Sequence, residues 1–91
     1  MERQNIKMSE EEFDVLDQLY FVTSYADLKD NFNYDNEILL DLLLSIASKG
    51  WLKCFENPDV EIEAEEHTLR RNYLKYQYLA SKQGLLAHNS R

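Results

Sequence analysis

Residues 24–55, SYADLKDNFNYDNEILLDLLLSIASKGWLKCF, decide the fold. Ser24 stands three residues before Asp27, the spacing at which a cap side chain satisfies exposed N–H groups of a first helical turn. Leu28 and Phe32 then give a short helix its inward anchors. Asn31-Phe32-Asn33-Tyr34 breaks it, because Asn competes for backbone hydrogen bonds and tolerates turn conformations. Asp35 or Asn36 caps a longer, leucine-rich helix that runs to Lys49. Gly50 stands where a left-handed residue ends a helix. Trp51-Leu52-Lys53-Cys54-Phe55 reads as a strand, with Leu52 and Cys54 on one face and Trp51 and Phe55 on the other.

Upstream, Ser9 and Glu12 have capping-box spacing, and Glu10, Glu11 and Glu12 suit the positive end of a helix dipole. Phe13, Leu16, Leu19 and Tyr20 recur at helical spacing, which predicts a first helix over residues 9–22. Downstream, Asn57-Pro58-Asp59 is turn chemistry. Val60, Ile62 and Ala64 alternate with Glu61, Glu63 and Glu65 as a second strand or an extended acidic arm. Residues 66–80 carry both periods; a helix over 66–75 followed by a strand over 76–80 is the reading adopted. Ser81 caps a terminal helical turn holding Leu85 and Leu86, which Gly84 weakens.

With 91 residues the chain has room for one small domain, placed at residues 9–88 between tails 1–8 and 89–91. An apolar fraction of 44% suits a folded chain. The most apolar run, residues 38–47, is too short to span a bilayer, and the first twelve residues read as lacking a secretory signal. The single Cys54 has no disulfide partner within the chain and does not fit a zinc site with His67 and His88. A cytoplasmic setting is expected, with no cofactor, no metal and no membrane.

The net charge of −7 is unevenly spread. Residues 56–66 hold six acids and no base, whereas residues 67–91 hold Arg70, Arg71, Lys75, Lys82 and Arg91 and no acid. Such asymmetry points to a charged partner or to pairing within the chain.

The order of elements resembles the winged helix-turn-helix superfamily, as seen in small bacterial transcription regulators. The resemblance rests on Ser24, Asp27 and Leu28, on the spaced aliphatics Leu39, Leu42, Leu43 and Ile46, and on Lys49-Gly50-Trp51-Leu52. It extends to residues 78–86, YLASKQGLL, which look like a second wing strand running into a closing helix. It implies a mainly α fold with a small β wing (α+β): a three-helix core, a two- or three-stranded wing and a short C-terminal helix. The link between the wing strands is longer than a minimal wing. The resemblance also implies that the third helix is the one that would enter a DNA major groove.

At 100° per residue, Ile38, Leu39, Leu42, Leu43 and Ile46 form the expected core stripe of that helix. Glu37, Asp41, Ser45 and Ser48 lie opposite, on the side a DNA reader presents, with no base before Lys49. Phosphates and guanine edges call for Arg or Lys. The wing tip, with its six acids, is equally unsuited. Leu40, Leu44 and Ala47 widen the apolar arc beyond the core stripe. Either the first two helices cover them, or Leu40 and Leu44 form an exposed patch beside the acids.

Two function classes follow. The preferred one is a non-enzymatic, winged-helix-like interaction module. Its partner-binding residues are Glu37, Leu40, Asp41 and Leu44, facing a basic or amphipathic protein partner or a second copy. The alternative is a DNA-binding transcriptional regulator whose Arg70, Arg71, Lys75 and Lys82, interleaved with tyrosines, grip phosphates. An enzyme is disfavoured: two glycines leave no phosphate-cradling loop, and no Ser or Cys nucleophile stands in a recognisable setting. His67 and His88 read as solvated surface residues and Cys54 as a buried small apolar residue.

Overall fold

The computed structural model describes residues 7–90 and is an α+β domain. Five helices and four strands occur among them, in the order α1 (Glu10–Asp17), β1 (Thr23–Ser24), α2 (Tyr25–Asp30), α3 (Asn36–Ser48), β2 (Leu52–Asn57), β3 (Val60–Ile62), α4 (Glu66–Asn72), a 3-10 turn (Tyr73–Lys75), β4 (Gln77–Ala80) and α5 (Lys82–Asn89). The strands make one antiparallel sheet in the order β1-β4-β2-β3. The last strand in sequence is therefore an inner strand in space.

The capping signals all act as their spacing demands. The Ser9 hydroxyl accepts from Glu12 N and the Glu12 carboxylate accepts from Ser9 N, a complete capping box. Ser24, Asp35 and Ser81 accept from Asp27 N, Ile38 N and Gly84 N. Gly50 adopts φ +79°. Trp51 N donates to Ile46 O and Gly50 N to Ala47 O, the paired bonds of a Schellman motif. Asp59 N donates to Asn57 Oδ1 across the β2–β3 turn.

Three expectations about elements need correction. The first helix stops at Asp17, not at residue 22. Leu19 turns its side chain into the core and its carbonyl to Ala80 N on β4, and a carbonyl given to the sheet cannot serve the helix. The sheet has four strands because Thr23 and Ser24 pair with Tyr78 and Gln77. The C-terminal helix is a full element of eight residues, and Gly84 does not weaken it by accident. A Cβ at Gly84 would stand 2.4 Å from the Trp51 carbonyl oxygen, so only glycine lets α5 approach the Gly50–Trp51 turn.

The core gathers Val15 and Leu16 from α1, Leu28 from α2, Leu39, Leu43 and Ile46 from α3, Cys54 and Tyr78 from the sheet and Leu69 from α4, all fully buried. Burial pushes the Cys54 thiol up to about 12. Of the expected N-terminal tail, residues 1–6 lie outside the described residues. Met8 packs against the core, and the Lys7 carbonyl accepts from Lys49 Nζ at 2.9 Å. At the other end, Asn89 closes α5 and Arg91 lies outside the described residues.

The close approach at Gly84 has a measurable consequence. Gly84→Ala would gain about 1 kcal/mol in an open helix. Here it is expected to lower the unfolding free energy by about 2 kcal/mol, because rigid backbone must give way. A urea titration that found the variant as stable as the parent would contradict this packing.

Candidate interaction surface

Helix α3 is capped by Asp35 and stopped at Gly50, so its thirteen residues present fixed faces to their neighbours. Leu39, Leu40, Leu43 and Ile46 face inward. Glu37, Ile38, Asp41 and Ser48 are exposed, and Leu42, Leu44 and Ser45 lie half-buried at the borders. The buried stripe is thus rotated by roughly 60° from the expected one. Ile38, expected in the core, is 47% exposed, and Leu40, expected in an exposed patch, is 8% exposed.

The reason for the rotation is α4. The segment after β3 folds back onto α3, burying Leu69 in the same cluster as Leu40. Ala64 and Glu66 border a shallow cleft of about 90 Å³ together with Leu44, Ala47 and Ser48. From there α4 runs toward the other end of α3. Tyr73 packs edge-on against Tyr25 at 5.1 Å, and the Tyr25 hydroxyl donates to Asn36 Oδ1 at 2.8 Å. The extra apolar arc of α3 is therefore covered by the chain's own long link between β3 and β4. Leu40 is not available to a partner, and Leu44 shows only one edge, in the cleft.

The acids behave as expected. Glu37 and Asp41 are exposed on α3, as are Glu56, Asp59, Glu61, Glu63, Glu65 and Glu66 around the β2–β3 hairpin and the start of α4. Among the basic residues, Arg70 donates to Glu66 at 3.0 Å one turn back. Arg71 and Lys75 are exposed on the same segment and make no ion pair among the described residues. Lys82 is exposed on a different helix, α5.

Two polar clusters were not legible as clusters in the sequence. Glu12, 3% exposed, accepts from Lys49 Nζ at 2.8 Å and from Ser45 Oγ at 2.5 Å, besides closing its capping box. Burial opposes its charge, but the bonds from Lys49, Ser45 and Ser9 outweigh that and hold its carboxyl below the ordinary 4.5. This clip fastens α1 to α3 and commits Lys49, the first cation on the α3 side, to an internal partner. Lys49 also lies 5.1 Å from the Trp51 ring centroid. The only advance sign was Glu12 itself, whose cap role concealed a second one.

The other cluster corrects the expectation for His88, which is 8% exposed rather than solvated. Its ring stacks on Phe13 at 4.1 Å and its Nδ1 lies 2.8 Å from the Tyr20 hydroxyl, which also donates to Asn89 Oδ1. His88 Nε2 is 3.4 Å from Asp17 Oδ1, within ion-pair range but not aligned as a hydrogen bond. The cluster joins α5 to α1. No family model, curated protein or solved structure matches this chain. No helix among the described residues is long and apolar enough to cross a membrane.

Two substitutions on α3 separate its faces. Leu40→Ala should cost about 3 kcal/mol in chemical denaturation, whereas Ile38→Ser should stay within about 0.5 kcal/mol of the parent. Equal costs would refute the rotated stripe. For the clip, Glu12→Gln is expected to cost about 2 kcal/mol near neutral pH, less than a fully buried pair because Lys49 keeps contact with water. Because the folded carboxyl sits lower than the unfolded one, its contribution is present above pH 4.5 and fades as pH falls below that value. Thermal melts across this range should therefore show a shallower acid decline for Glu12→Gln than for the parent.

Proposed function

We propose that the chain is a non-enzymatic, winged-helix-like interaction module that docks a basic protein partner on the outward face of α3. What supports the winged-helix reading is the order of elements. A short helix, α2, is followed by a turn, the longer α3, a glycine stop and a strand. That strand, β2, pairs antiparallel with β4, which runs into the closing helix as a second wing strand would. The wing is elaborate, since β3, α4 and the 3-10 turn lie between its two strands.

The observation that carries the functional reading is the charge of the outward face of α3. Glu37 and Asp41 are exposed there, and Lys49 at its end is neutralised by Glu12. A helix laid in a DNA groove with that surface sets carboxylates against phosphates and releases no counterions. The same surface attracts Lys and Arg side chains, with exposed Ile38 and the Leu44 cleft beside it for an aliphatic contact.

Fluorescence anisotropy tests both function classes. A labelled amphipathic helical peptide of Leu and Lys is expected to bind the protein, and Glu37→Lys/Asp41→Lys should weaken it by about tenfold while the wing acids remain. A labelled random-sequence duplex should give no signal even at low salt. Duplex binding that falls steeply with salt and disappears in Arg70→Glu/Arg71→Glu would replace this function with DNA binding.

A further inference from the structure

We propose that the basic partner of α3 is a second copy of this chain. In a two-fold pair, Glu37, Ile38 and Asp41 of one protomer would face Arg71, Leu74 and Lys75 of the other. This rests on the reading of α3 as a docking face and names what occupies it. The two patches match in charge and in make-up. Each carries two exposed charges of one sign around one exposed aliphatic side chain, Ile38 at 47% and Leu74 at 58%. Arg71 lies in the last turn of α4, and Leu74 and Lys75 follow it directly on the 3-10 turn, all three exposed.

Their placement suits self-pairing. The chain of contacts from Tyr73 to Tyr25 to Asn36 sets the 3-10 turn at the end of α3 that carries Glu37 and Ile38. Tyr25 of α2 thus ties the basic segment to the start of the acidic helix. A two-fold axis between two patches of opposite sign lays each upon its opposite, twice per dimer. The charges are also unspent. Glu37, Asp41, Arg71 and Lys75 make no ion pair among the described residues, whereas adjacent Arg70 is taken by Glu66.

Salt alone is a poor probe here. It screens the local attraction and also the repulsion between two chains of net charge −7. Charge reversal separates the two. Sedimentation equilibrium at physiological salt should show a dimer for the parent. Glu37→Lys/Asp41→Lys and Arg71→Glu/Lys75→Glu should each associate at least about tenfold more weakly. An equimolar mixture of the two variants should recover a one-to-one pair, because the reversed faces of the two meet each other and so do the unreversed ones. Each substitution moves the charge by two, so the variants carry −3 and −11 from a parent of −7. Overall charge therefore does not draw them together. Circular dichroism checks that both fold, and Glu37→Gln/Asp41→Asn replaces the first if it does not. A parent that stays monomeric, a dimer that survives both reversals, or a mixture that fails to pair would each overturn the proposal. A monomeric parent that binds the Leu–Lys peptide would leave the docking face standing and remove only self-pairing; one that binds neither would remove both.

Discussion

The corner at Gly50 and Trp51 governs how the helical and β parts of this domain are joined. Its left-handed glycine ends α3 and turns the chain directly into β2. The same few atoms then receive the end of the fold: Ser81 N donates to Trp51 O at 2.8 Å, Ser81 Oγ donates to Gly50 O at 2.6 Å, and Gly84 sits against the Trp51 carbonyl. Two peptide groups thus cap one helix, launch a strand and seat the first turn of another helix. Backbone carbonyls in such a position need partners, and these are supplied from thirty residues downstream. Any residue with a Cβ at either glycine disturbs both halves of the joint.

Around that corner, α3 is held on three sides by different chemistry. Toward α1 it is clipped by a buried carboxylate, toward the sheet it packs aliphatic side chains, and toward α4 it is covered by Leu69 and Ala64. Coverage by α4 explains why a helix with more leucine than one core stripe requires still leaves few leucines exposed. It also leaves the acidic edge of α3 as the part that meets solvent. The interaction proposed for this edge uses what packing did not consume: Glu37, Ile38 and Asp41 rather than Leu40.

Much of the fold was legible because its signals are local. Ser9, Ser24, Asp35 and Ser81 announce helix starts through bonds spanning three residues, and Gly50 announces a stop through its own φ. The alternation at Leu52 and Cys54 likewise needs only one strand. What was misread depends on distant residues. Whether Leu40 or Ile38 faces inward turns on where α4 lies, some thirty residues later. Gly84 looked like a weak point because the carbonyl it accommodates belongs to Trp51. His88 looked solvated because Phe13, Tyr20 and Asp17 lie at the far end of the chain. Of the candidate site, the acids were readable because exposed charge follows from composition. The apolar contribution was not, because periodicity tells which residues share a face but not which neighbour covers it.

The position of β4 has a kinetic side. Thr23 pairs with Tyr78 and Leu52 pairs with Ala80, so the strand that holds the sheet together is the last of the four to leave the ribosome. Until it emerges, β1 has no neighbour and β2 has only the three-residue β3 beside it, a ribbon of marginal stability alone. The helices can form early from local contacts, but the sheet must wait for closure of a long loop, the slow class of folding event. During that interval the apolar side of β2 and the inward stripe of α3 face solvent together, which is when this chain is most prone to meet another copy in the wrong register.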